Sequence, residues 1–180
     1  MKLIPAIQSG QICVVIGPAD LTLNAALEVV AHLAVRGPLM LIDGGNRLDL
    51  FRMARRIRRQ TLRLDESLEN IRLARAFTCY QMVALLEGAP AGPQPKVALG
   101  LLSTFYDESV ALAESQRLLA ICLHHLRRLS RLAPLLITSA PPRAEQAERE
   151  SLLAQLEALA DPLIVLEHPR PVDQQPLRLF

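Results

Sequence analysis

The 180-residue chain has no tryptophan, and its aromatic residues amount to four phenylalanines and two tyrosines. A core of any size must therefore be built from Leu, Ala, Ile and Val. Lysine is almost missing as well, at two residues against eighteen arginines. Cysteine occurs three times, at Cys13, Cys79 and Cys122, far apart and each within an apolar or helical pattern. An odd number without paired spacing argues against a disulfide framework or a zinc site and predicts reduced, structural thiols in a cytoplasm. Long apolar runs are lacking too. None approaches the roughly 18 residues of a membrane span, and Pro5, Gln8 and Ser9 break the first apolar stretch, so no signal peptide is expected. Twenty basic and eighteen acidic residues leave a net charge of +2. That balance describes an ordinary globular protein. Residues 1–180 are expected to form one domain.

Apolar runs alternate with helical patterns along the chain. Strands are expected at 11–17, 38–43, 96–104 and 134–139, with a shorter one in Asn70–Phe77. Two more are expected at the end, in "DPLIVLEHP" and "QPLRLF". Helical spacing marks 21–35, 48–62, 78–88 and a long segment from Asp107 to Ala133, and a polar helix follows Pro142. This order predicts an α/β fold with a mostly parallel sheet, helices on both faces and a C-terminal antiparallel edge. Ligands of such sheets bind at the carboxyl ends of the strands. The loops 17–22, 43–49, 103–109 and 138–143 are therefore the places to look.

Those loops carry a family likeness. "IQSGQICVVIGPADLTLNAALEVVAHLAV" resembles the glycine-led strand, phosphate loop and first helix of the RecA-like recombinases, nearest the RadA-type ATPase core. "LMLIDGGNRLDLFRMARRI" resembles the family's strand ending in Asp-Thr-Glu-Gly, and "ENIRLARAF" its Asn-Val, short gap and Ala-Arg-Ala-Phe. "VALGLLSTFYDES" follows the Walker B strand, and "PLLITSAPP" the strand ending in Ile-Thr-Asn-Gln. The landmarks span nearly the whole chain from about Ser9. The resemblance implies a RecA-like doubly wound core.

The same alignment removes the chemistry. Against Gly-x-x-x-x-Gly-Lys-Ser/Thr, Gly17 keeps the first glycine, while Thr22, Leu23 and Asn24 occupy the last three positions. Without the lysine nothing neutralises the outer phosphates. The family's catalytic glutamate corresponds to Gly45, its Walker B aspartate to Leu102 beside Ser103, and its phosphate-sensing glutamine to Ala140; Asp43 alone survives. Gly17, Thr22 and Asn24 thus mark a vestigial phosphate loop. The resemblance then implies a noncatalytic protein without a cofactor, a partner or scaffold in DNA recombination and repair whose protein partner is a recombinase or polymerase. The alternative is a nucleotide-binding regulator that keeps weak ATP binding through backbone contacts.

A second signal is basic. Seven arginines and the single acid Asp49 lie between Arg47 and Arg63. On one helix Arg52, Arg55, Arg56, Arg59 and Arg63 recur at i, i+3, i+4, i+7 and i+11, which aligns them opposite a core stripe of Leu50, Ala54 and Ile57. Guanidinium groups so arranged bind phosphate through paired hydrogen bonds, and DNA or a protein partner is the expected contact. The same pattern also describes a solvated face. No aromatic interleaves with this ridge, which argues against a single-strand platform. Phe51 belongs to "FRMA", a Phe-x-x-Ala pattern expected inside the helix with Ala54 inward. His124 and His125 point about 100° apart on a helix and suit the surface better than one metal. Asp107 and Glu108 are expected in the first turn of the long helix, where its dipole favours acids.

Overall fold

The computed structural model describes residues 7–168. Its strands are β1 (Ile12–Ile16), β2 (Leu39–Asp43), β3 (Ile71–Arg75), β4 (Lys96–Leu99), β5 (Leu135–Ser139) and β6 (Leu163–Val165). They form one sheet in the order β3-β2-β4-β5-β1-β6, every pair parallel. The four strands expected at the centre lie side by side. β1 and β5 pair along their full length, with Ile12 to Ile16 facing Leu135 to Ser139 in register.

Parallel pairing needs crossovers, and the helices supply them on both faces. Alternate strand residues go to opposite sides. Cys13, Val15, Leu41, Val97 and Leu136 meet α1 (Ala19–Ala34) and α2 (Leu50–Arg58). Val14, Ile42, Ala98 and Ile137 meet α4 (Cys79–Gly88), α5 (Leu112–Ser130) and α6 (Glu150–Glu157). The short α3 (Leu64–Glu69) leads into β3. Burial on both faces is the reason β1, β2, β4 and β5 read as apolar runs, whereas the edge strand β3 is largely exposed and carries Arg72 and Arg75.

Local signals set the helix ends. Ala25, Ala26, Val30 and Ala34 of α1 are buried at helical spacing, and the helix stops where Gly37 takes φ +152° and Pro38 removes a donor. Asp49 caps α2, its carboxylate accepting from the amides of Phe51 at 2.9 Å and Arg52 at 3.2 Å. Thr78 caps α4 through Gln81.

Several expectations are revised. The apolar run 96–104 is a strand only to Leu99. Gly100 then turns at φ +57° into a 3-10 turn, Leu101–Thr104. The helical run 48–62 ends at Arg58, and a further short helix follows at 64–69. The long helix begins at Leu112, so Asp107 and Glu108 precede it in a loop, where Asp107 accepts from the Ser109 amide at 2.9 Å. At the C-terminal side β6 runs parallel to β1, and among the described residues the antiparallel contact is a single bridge between Ile12 and Asp161. The expected strand in "QPLRLF" lies outside the described residues.

Candidate functional site

The carboxyl ends of β2, β4 and β5 open into a cleft of about 430 Å³ beside the start of α1. All four expected segments contribute: Ala19 and Thr22 from the first, with Leu23 just beyond it, Asp43, Gly45 and Arg47 from the second, Ser103 and Asp107 from the third, Ala140 and Arg143 from the fourth. The cleft is where the topology places a ligand.

Its glycine side is built tightly. A side chain on Gly44 would strike the Met82 methyl and lie 3.1 Å from the Gly100 carbonyl oxygen, and one on Gly100 would lie 3.1 Å from the Gly45 Cα. The Gly100 amide donates to the Thr138 hydroxyl at 3.1 Å, tying β4 to β5. Asp43 is fully buried. It accepts from the amides of Arg47 at 3.4 Å and Leu48 at 3.3 Å and pairs with the Arg75 guanidinium at 3.4 Å. Asp43 thus closes the loop after β2.

The positions that matter to nucleotide chemistry are built as follows. A phosphate loop needs several free amides converging on the ligand. Here α1 begins at Ala19, leaving Gly17 and Pro18 as the link from β1, so residues 19–24 are already helix. A Cβ on Gly17 would meet the Leu166 carbonyl. Thr22 is buried, and its hydroxyl donates back to the Pro18 or Ala19 carbonyl, each at 3.2 Å. Leu23 is half-buried against the core. Asn24 faces α2, where its side-chain oxygen accepts from Arg52 at 2.8 Å and Arg56 at 2.6 Å. Leu102 is fully buried among the apolar residues under α5, and its neighbour Ser103 is exposed in the cleft. Among the described residues no acid or histidine is hydrogen-bonded to the Ser103 hydroxyl.

Two groups set the far wall. The Tyr106 hydroxyl donates to the Ala140 carbonyl at 3.2 Å, and burial pushes its pKa well above the usual phenol range. Asp107 is exposed, and the Ser109 amide holds its carboxyl below the ordinary value. Behind them lies Arg149, which the pattern of a polar helix gives to solvent. It is 2% exposed. Its guanidinium donates to the carbonyls of Phe105 at 2.6 Å and Val110 at 2.7 Å and to the Ser115 hydroxyl at 3.1 Å. This buried cation has no carboxylate partner among the described residues, and it holds the loop carrying Asp107. Nothing in the local sequence distinguishes it from its exposed neighbours.

The arginine ridge is divided. Arg52 and Arg56 turn toward α1, where Arg56 also pairs with Glu28 at 3.1 Å. Arg55 and Arg59 face water. Arg63 is not on the same helix: it precedes α3 and pairs with Glu66 at 3.7 Å. Arg58, left out of the expected ridge, is exposed beside Arg55. The core stripe of α2 is Met53 and Ile57, with Leu50 half exposed. Phe51 is 77% exposed on the outward side. An aromatic therefore does stand among the outward arginines, contrary to expectation.

Among the described residues no group of three His, Cys, Asp or Glu side chains is placed to hold a metal. His124 is exposed and His125 half-buried, their rings 5.5 Å apart and nearly perpendicular. No helix among the described residues is long and apolar enough to cross a membrane. No protein-family model matches the chain, and no curated protein matches it.

Proposed function

We propose that the protein is a noncatalytic, RecA-like scaffold of DNA recombination and repair, working through its surfaces on a protein partner such as a recombinase or polymerase. One observation carries the noncatalytic part: the segment aligned with a phosphate loop is wound into α1 two residues after Gly17. The Thr22 amide, at the position aligned with the second glycine of a phosphate loop, already donates to the Pro18 carbonyl at 3.0 Å and is engaged in the helix. The five strands that bear the family landmarks, β3, β2, β4, β5 and β1, stand side by side, which supports the RecA-like part.

The test has two arms. Titration calorimetry with Mg-ATP should give no micromolar binding, and the protein should alter strand exchange by a recombinase without hydrolysing ATP itself. Micromolar binding that disappears in Gly17→Val overturns the reading in favour of the nucleotide-binding regulator. The open cleft of about 430 Å³ beside α1 is the observation that favours this second reading. Restoring the missing lysine alone, as Leu23→Lys, should not produce turnover, because Gly45 and Leu102 still supply no acid.

A further inference from the structure

We propose that the outward face of α2 binds single-stranded nucleic acid, with Arg55, Arg58 and Arg59 on the phosphates and Phe51 stacked on a base. The proposal deepens the scaffold reading by giving one face its partner, and the scaffold reading stands or falls separately.

The argument starts from charge. Between Leu50 and Leu64 the chain holds six arginines and no acid. Three of the six are engaged: Arg52 and Arg56 by Asn24 and Glu28, Arg63 by Glu66. Arg55, Arg58 and Arg59 are exposed and have no ion pair or side-chain hydrogen bond among the described residues. Of the acids nearest in sequence, Asp49 is committed to capping the helix, Glu66 pairs with Arg63, and the exposed Asp65 forms no ion pair with any of the three arginines. A cationic surface without local counter-charge fits a polyanion.

Geometry adds the second component. Phe51, Arg55 and Arg58 follow the i, i+4, i+7 spacing of a single helix face, over about 10 Å of axis. Met53 and Ile57 occupy the opposite, buried side. Phe51, one of only four phenylalanines in the chain, presents its ring to water at the end of this stripe. An exposed ring beside unpaired guanidinium groups provides both parts of a single-strand site, a π-face for a base and cations for the backbone. In a duplex the base faces are already stacked and leave Phe51 nothing to receive. An acidic protein satisfies the arginines equally, but it does not require the aromatic to read bases.

The experiment is fluorescence anisotropy at low salt with labelled oligothymidylate, an abasic strand of the same length and a duplex. The wild type should bind oligothymidylate more tightly than duplex. Phe51→Ala should weaken oligothymidylate binding roughly tenfold, leave the abasic strand unaffected and be rescued by Phe51→Tyr. Replacing Arg55, Arg58 and Arg59 by Gln should weaken both strands and reduce the salt slope by about 2, at about 0.7 per phosphate contact. Unchanged circular dichroism and urea midpoints establish that the variants are folded. Absence of binding by the wild type overturns the proposal, as does a duplex preference or a Phe51→Ala variant that binds oligothymidylate normally. Loss of an acidic protein partner by the triple variant, without any DNA binding by the wild type, identifies a protein-docking face and also overturns it. The Mg-ATP and strand-exchange results do not depend on any of these outcomes.

Discussion

Replacing Leu102 with aspartate introduces the side chain that a RecA-like ATPase would carry at the aligned position, and the fold predicts damage from it. Leu102 is fully buried in the apolar layer that includes Leu101, Phe105, Leu118 and Leu119. Removing a buried leucine side chain costs about 2–5 kcal/mol, and an unpaired polar group in its place adds about 1–3 kcal/mol. Leu102→Asn isolates this part, because its amide does not ionise. The Leu102→Asp variant carries a further penalty that depends on pH. Burial raises a carboxyl's folded pKa above its unfolded value of about 3.9, by up to about 3–5 units. The two variants should therefore be equally stable below about pH 4. Above it the folded aspartate variant keeps a proton that its unfolded chain releases, and stability is lost as pH rises toward the folded pKa. Within that window the gap between the variants should widen by about 1.4 kcal/mol per pH unit. Urea unfolding at pH 5 and pH 6 measures it. Equal midpoints for both variants at both pH values would mean that the position reaches water in the cleft, and the placement of Leu102 as core would be refuted.

The other expectations are simpler. Burial pushes the Cys13 thiol up to about 11 and Cys122 to about 12. Their contribution to stability is thus complete below about pH 8.5 and lost as pH rises toward those values; the urea midpoint should fall between pH 8 and pH 10, and less so in a Cys13→Ala, Cys122→Ala variant. Gly17→Ala must place a methyl against the Leu166 carbonyl at φ +154°, a strain of about 1–3 kcal/mol that should lower Tm and speed exchange of the Leu166 amide, which bonds the Ile16 carbonyl at 2.7 Å. Arg149→Met strands the Phe105 and Val110 carbonyls; a loss of about 2–4 kcal/mol is expected in thermal unfolding, with new protease sensitivity in the loop 105–110.

The sheet was legible because a strand buried on both faces leaves an uninterrupted apolar run, as "ICVVI" and "LLITS" do. The same property misled at β4. Leu101 and Leu102 continue the apolar run, yet Gly100 at φ +57° bends the chain so that both pack beneath α5 instead of extending the strand. Periodicity could not separate a buried strand from a buried turn there, because both place leucine in the core. The cleft was legible as a set of loops, since topology alone brings strand ends together. Its chemistry was not, because hydrogen-bond partners are far apart in sequence: Arg149 meets carbonyls some 40 residues away, and Arg52 and Arg56 meet Asn24 across α1.

The arginine helix shows how partner geometry changes a functional argument. Spacing placed five arginines on one face, but α2 ends before Arg63, and two of the remaining four turn to α1. An arginine held by Asn24 or Glu28 is less available to a phosphate, since binding would have to break that contact first. The outward arginines have no such competitor among the described residues, and Arg58 joins them. Asn24, aligned with the metal-ligating hydroxyl of a phosphate loop, accepts hydrogen bonds from both inward arginines. The same interaction therefore engages the Asn24 side chain and fixes α2 against α1. That fixed helix is what presents Phe51 and Arg55 to solvent in a defined arrangement, so the contacts that engage Asn24 also set the display of the outer face.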